Sequence, residues 1–177
     1  MEKQKSVALL FDPPSTEFQE SFCQNFGIEY KATCLFNRVF TFINAKCAKP
    51  ASVLSIVGDV NCGFRALSVG LTGSRAFHGL IRNKIGKFLA EHIGENWCKL
   101  LMPNKETRRK HVKDVMTQAK DSSDVDSYAR DIDFAAASKL FQVNVLIYSS
   151  VGWRVYSPDL ENSWRKSKQQ QELPSIQ

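Results

Sequence analysis

The residues best placed to do chemistry lie in one stretch, Gly58-Asp59-Val60-Asn61-Cys62-Gly63-Phe64-Arg65-Ala66-Leu67-Ser68. A cysteine attacks as its thiolate, and a free thiol with a pKa of about 8.5 needs a helix N-terminus, a cation or a histidine beside it to ionise near neutrality. The Gly58-Asp59 turn signal and the helix-compatible spacing of Phe64, Ala66, Leu67 and Leu71 place Cys62 at or near such an N-terminus. A turn of this kind also aims backbone N–H groups at one point, the arrangement that holds the oxyanion of an acyl-transfer intermediate. Asp59 and Asn61 are positioned to shape it. The chemistry indicated is thiol-dependent hydrolysis, with Cys62 as nucleophile. Spacing alone is weak support, because an isolated cysteine is usually a small buried side chain.

The elements that must hold this turn are readable to different degrees. Ser6 to Phe11 reads as a small strand cut off by Pro13-Pro14. Thr16-x-x-Gln19 has capping-box spacing, and Phe18, Phe22 and Phe26 then recur every four residues up to Gly27, which predicts a short helix near 16–26. Leu35 to Ile43 leaves helix and strand both open. Val53 to Val57 reads as a strand leading into the turn.

Beyond Cys62, a helix is predicted from Ser74 to His92, with Phe77, Leu80, Ile81, Ile85, Phe88 and Leu89 as its buried stripe. A polar helix is predicted within Glu106 to Lys120, followed by a loop at Asp121-Ser122-Ser123-Asp124, and a further helix near Asp131 to Phe141, where Ala135, Ala136 and Ala137 permit close packing. Val143 to Tyr148 and Trp153 to Tyr156, joined through Ser149, Ser150 and Gly152, read as a β-hairpin. The stretch Arg165 to Gln177 has too little apolar content to fold alone.

The chain of 177 residues, 43% of them apolar, has the size of one domain. Its net charge of +6 favours acidic surfaces in general. The densest basic run, Lys105 to Lys113, reads as the solvated face of a helix, since no aromatics are interleaved with it for base stacking. Five scattered cysteines without Cys-x-x-Cys spacing, Cys23, Cys34, Cys47, Cys62 and Cys98, argue against a disulfide framework, a zinc site or a dithiol pair. No metal or other cofactor is expected. With no signal-peptide core or membrane span in the sequence, a reducing cytoplasmic or nuclear setting is expected.

Asp59-x-Asn61-Cys62-x-Phe64-Arg65-Ala66 resembles the D-G-N-C-x-F-R-A nucleophile motif of the ovarian-tumour (OTU) cysteine proteases, departing from it only at Val60, where the family has glycine. Phe77-His78-Gly79-Leu80-Ile81-Arg82 resembles the family's H-x-x-[IL]-R helix. Tyr128 to Ala137 is similar to the segment before its central strand, and Val143 to Tyr148 to that strand. The resemblance spans roughly Ser52 to Tyr156 and is similar to the OTU domains of retroelement-derived open reading frames. It implies an α+β, papain-like fold with a small central sheet, built from Val53–Val57, Val143–Tyr148 and Trp153–Tyr156 and flanked by helices. It also implies an organisation into an N-terminal extension (1–51), an OTU-like domain (52–160) and a polar tail (161–177).

The activity implied by the resemblance is hydrolysis of the isopeptide or peptide bond after the C-terminal glycine of ubiquitin. Cys62 would form the acyl-enzyme, and Asp59 with Val60 and Asn61 would build the oxyanion loop. The family's base, a histidine in a late H-[YF]-[DNE] motif, has no counterpart. His78, His92 and His111 all precede the hairpin, and each reads as a packing or surface residue. A truncated last strand is therefore expected, with activity weak or absent. Val60 is expected to disfavour a loop that needs positive φ. Ubiquitin or polyubiquitin is the partner implied. A catalytically inactive ubiquitin-binding protein is the alternative, and a basic nucleic-acid-associated module ranks third.

Overall fold

The two longest helices after the cysteine turn cross at a glycine of the first of them, Gly86, and this crossing sets the architecture. The computed structural model describes residues 9–11, 13–33, 41–43, 50, 53–117, 127–150 and 152–159, with backbone alone for the strands at 9–11 and 41–43. Its elements run β1 (Leu9–Phe11), α1 (Thr16–Asn25), β2 (Thr41–Ile43), α2 (Cys62–Thr72), α3 (His78–His92), α4 (Asn96–Leu101), α5 (Lys105–Met116), α6 (Asp131–Phe141), β3 (Val145–Ser149) and β4 (Gly152–Tyr156). The class is α+β, as the sequence indicates. The expected loop at 121–124, the tail after 160, and Cys34 and Cys47 lie outside the described residues.

α3 is the central helix, packed against α2, α5 and α6. It buries Ile81, Arg82, Ile85, Gly86 and Leu89. A Cβ at Gly86 would stand 2.7 Å from Met116 Cγ and 3.3 Å from the Met116 backbone nitrogen, so the missing side chain lets α3 and α5 approach closely. On the α6 side, the fully buried Ala135, Ala136 and Ala137 serve the same end. The stripe differs from the sequence reading in one respect: Leu80 is 39% exposed, and Arg82 takes an inward position. The helix also begins later than Ser74. Ser74 is held in a turn, its carbonyl accepting from the hydroxyls of Ser68 (2.6 Å) and Thr72 (3.1 Å), which keeps that carbonyl out of a helical ladder.

α1 contributes Phe22 and Cys23 to the same core as α2, α3 and α6, with Phe22 and Phe26 meeting Phe141 edge-on at 5.4 and 5.7 Å. Its cap is Ser15, whose hydroxyl accepts from Phe18 N–H, so the capping-box reading is off by one residue. Gln19 is instead buried and donates to the carbonyls of Val69 (3.1 Å) and Gly70 (3.0 Å), pinning α1 across α2. α2 stops at Gly73, whose φ of +71° is left-handed and costs glycine little.

The strands form two separate antiparallel pairs, β1 with β2 and β3 with β4, in the registers Leu10↔Phe42 and Leu146↔Val155. The hairpin is as the sequence indicates. The expected third strand of a central sheet is not: Val53 to Val57 lies outside every strand, with Val53 85% and Val57 58% exposed. β-branched composition yields a strand only where a neighbouring backbone offers a ladder, and this segment is held from the side, by Arg75 Nη2 donating to the Ser55 carbonyl at 2.7 Å. Among the described residues no helix is long and apolar enough to cross a membrane.

Candidate active site at the Cys62 turn

α2 starts at Cys62, as the spacing predicts, and two residues just before it, Asp59 and Asn61, are each held by an arginine. Asp59 closes the turn on itself: its carbonyl accepts from Cys62 N–H (3.0 Å) and its Oδ1 from Asn61 N–H (3.0 Å). Its carboxylate is gripped by Arg65 from the first turn of α2, with Nη2 2.8 Å and Nε 3.1 Å from Oδ2. The guanidinium of Arg65 and the Asn61 amide together hold the Asp59 carboxyl below the ordinary aspartate range.

The second arginine comes from α3. Arg82, 2% exposed, donates from Nη1 to Asn61 Oδ1 (2.7 Å), from Nη2 to the Asp114 carbonyl (3.0 Å) and from Nε to the Val115 carbonyl (3.0 Å). Its guanidinium also lies 4.9 Å from the centre of the Phe64 ring. One fork therefore ties the residue beside Cys62 to the C-terminal end of α5. Three acceptors around a planar guanidinium fix its position, and the position of Asn61 follows.

Val60 serves as an anchor. Its side chain is 2% exposed, and among the described residues Gln142 is the only non-glycine with positive φ, so the turn closes with Val60 in ordinary backbone geometry. The N–H groups of Asn61 and Cys62 are both taken by Asp59, and the donors from Val60 to Phe64 that make no hydrogen bond among the described residues are those of Val60, before the nucleophile candidate, and of Gly63 and Phe64, in the first turn of α2. An oxyanion at Cys62 would find the Gly63 and Phe64 amides on the helix side of the sulfur and the Val60 amide before it.

Gly63 shows how tightly this turn is seated. A Cβ there would lie 2.7 Å from Ala129 Cβ and 3.3 Å from Phe134 Cζ, at the entry to α6. A Gly63→Ala change is therefore expected to lower stability by about 1–3 kcal/mol, the usual cost of overpacking, measured as a shift in the urea midpoint. A change at Gly70, where the same Cβ meets nothing within 4 Å, is the control and should be limited to the intrinsic helix preference for alanine.

Cys62 is half-buried, whereas Cys23 and Cys98 are fully buried. Burial raises the Cys23 thiol and pushes that of Cys98 up to about 12, Glu95 adding to the latter. Alkylation with iodoacetamide at neutral pH, mapped by peptide mass spectrometry, should modify Cys62 while Cys23 and Cys98 react only on unfolding. Equal labelling of the three would contradict this assignment.

None of the three histidines is hydrogen-bonded to the Cys62 thiol among the described residues. His78 Nδ1 lies 2.9 Å from the Arg75 carbonyl, an acceptor only, so that nitrogen carries the proton and its 3.3 Å approach to Arg65 Nη1 is a contact of two donors. His92 Nδ1 is 2.7 Å from the Phe88 carbonyl, and its ring stacks on Phe88. His111 is buried, with Nε2 2.8 Å from Asp133 Oδ2.

The basic run is correspondingly more than a solvated face. Arg108 is 5% and His111 2% exposed, and Arg108 donates to the Pro103 carbonyl at 2.7 Å. The signal was present in the sequence: Val112 and Val115 mark the inward face of α5, and Arg108 and His111 fall on it at helical spacing. Among the described residues no group of three or more His, Cys, Asp or Glu could hold a metal ion. Compared with known protein families, curated proteins and solved structures, the chain finds no match.

Proposed function

We propose that this chain is an OTU-type cysteine deubiquitinase of low turnover, in which Cys62 attacks the carbonyl that ends the ubiquitin tail. The observation that carries the proposal is the placement of the half-buried Cys62 as the first residue of α2, on a turn whose Asp59 and Asn61 are each held by an arginine. Such a turn holds the sulfur in one place, and the unpaired amides of Gly63 and Phe64 stand at the same helix end to receive an oxyanion. Asp59, by its bonds to Asn61 and Cys62 N–H, positions the turn. Without a histidine to accept and return the proton, the rate is reduced by about 10²–10⁴.

A second reading, a ubiquitin-binding protein without catalysis, is favoured by the lack of any histidine bonded to the Cys62 thiol among the described residues. One experiment separates the two. The full chain is incubated with ubiquitin carrying a C-terminal electrophile, and ubiquitin affinity is measured for the Cys62→Ala variant. Labelling at Cys62, lost in Cys62→Ala and absent at Cys98, supports the enzyme. Unlabelled protein that still binds ubiquitin supports the second reading. Absence of both labelling and binding sinks the proposal.

A further inference from the structure

Arg108, His111, Val112 and Val115 seat α5 against the core, and the ridge that this leaves outward is basic. Lys105, Arg109 and Lys113 follow one another at four-residue spacing, so they run along one side of the helix. All three are exposed. Gly86 of α3 lies against Met116, and the next residue, Lys87, is exposed and brings another cation to the C-terminal end of the same ridge.

The fold makes little use of these charges. Among the described residues the ammonium groups of Lys87, Lys105 and Lys113 take part in no hydrogen bond or ion pair. Arg109 meets Glu106 at 3.3 Å, but their side chains are 59% and 79% exposed, and a pair so open to water contributes little and is readily exchanged for another.

A row of exposed cations matches an anionic partner, and its surroundings decide which. A bilayer would need apolar side chains to insert beside the cations, whereas the apolar face of α5 is turned into the core and Met116 is its one exposed apolar side chain. An acidic protein would be held by aromatic or aliphatic anchors at the centre of the contact, and a single nucleic-acid strand by rings on which its bases stack. α5 contains no Phe, Tyr or Trp. A regular array of phosphates asks for neither. From Lys105 to Lys113 the helix rises roughly 12 Å, a length over which one strand of a duplex presents roughly three or four phosphates, spaced by about 3.4 Å along its axis.

We propose that the ridge of Lys105, Arg109 and Lys113, with Lys87 beside it, binds the phosphate backbone of a double-stranded nucleic acid without regard to base sequence. This contact makes no use of Cys62 and holds whether or not Cys62 attacks ubiquitin.

The test is fluorescence anisotropy of the full chain with two labelled DNA duplexes of unrelated sequence. Both should bind alike, with an affinity that falls about 10²-fold between roughly 50 and 200 mM salt, the response expected when about four phosphates are neutralised. The double variant Lys105→Gln, Lys113→Gln should lower the slope of log affinity against log salt by about two. It should keep the unfolding midpoint of the parent, because neither ammonium supports another group and the two charges act oppositely on the helix dipole. Lys31→Gln, an exposed lysine beyond α1, is the control for net charge and should leave the slope as it is. Cys62→Ala should bind as the parent does. Lack of saturable binding at the lower salt, a slope unchanged in the double variant, or a slope lowered as far by Lys31→Gln overturns the proposal. Tighter binding of a single strand also overturns it, as does displacement of the duplex by polyglutamate or by phosphatidylserine vesicles as readily as by unlabelled duplex of equal charge.

Discussion

Replacing Arg82 by methionine should destabilise the protein by about 3–5 kcal/mol and loosen the Cys62 turn in the molecules that remain folded. Methionine keeps an unbranched apolar stem but is shorter than arginine and carries no donor. The change strands Asn61 Oδ1 and the carbonyls of Asp114 and Val115, which now receive bonds of 2.7, 3.0 and 3.0 Å. Hydrogen bonds from a charged donor contribute about 1.5–3 kcal/mol each, and three sharing one donor do not add in full. Against a total stability of about 5–15 kcal/mol this is a large fraction.

Urea denaturation followed by circular dichroism measures the loss. Arg82→Lys should recover only part of it, since one ammonium cannot span acceptors that a planar fork reaches on two helices. Asn61→Ala isolates the link to Cys62, because it cuts the bond to Asn61 and leaves Arg82 on α5. Its stability cost should be near 1 kcal/mol, while the rate of Cys62 alkylation should change more than that of the parent under the same mild denaturant. An alkylation rate equal to the parent's in both Asn61→Ala and Arg82→Met would refute the positioning role.

The second large effect is expected at Asp133. Asp133→Ala removes the acceptor for His111 Nε2 and for Arg130 N–H, two donors at the junction of α5 with the start of α6. Each donor left buried without a partner costs about 1–3 kcal/mol, so a total of about 3 kcal/mol is expected. Asp133→Asn keeps one oxygen as acceptor and should fall between the variant and the parent. In a double-mutant cycle, His111→Leu with Asp133→Leu should cost less than the sum of the single changes, because removing both polar partners leaves neither stranded. Strict additivity would show that the pair does not couple the two helices.

Cys62 itself illustrates how far local sequence reaches. Its place at the start of α2, the span of α6 from Asp131 to Phe141, and the β3–β4 hairpin were all legible, because each depends on signals within about ten residues: turn chemistry, apolar spacing and small-residue runs. Val53 to Val57 shows the limit. Its composition suits a strand, yet among the described residues no backbone pairs with it, and strand formation is decided by the partner.

The sequence alone determined that Cys62 stands at a helix end, on a turn shaped by Asp59 and Asn61. Only the tertiary structure decided what holds the turn and which groups face each other across the helices. Arg82 reaches Asn61 across 21 residues and the Asp114 carbonyl across 32, and His111 meets Asp133 across 22. Periodicity can place a polar residue on an inward face, as it does for Arg108 and His111, but it cannot name the partner. A buried guanidinium or imidazole is satisfied by whichever acceptors the packing of α3, α5 and α6 brings within hydrogen-bond distance, and those are set by helix crossing rather than by spacing along the chain.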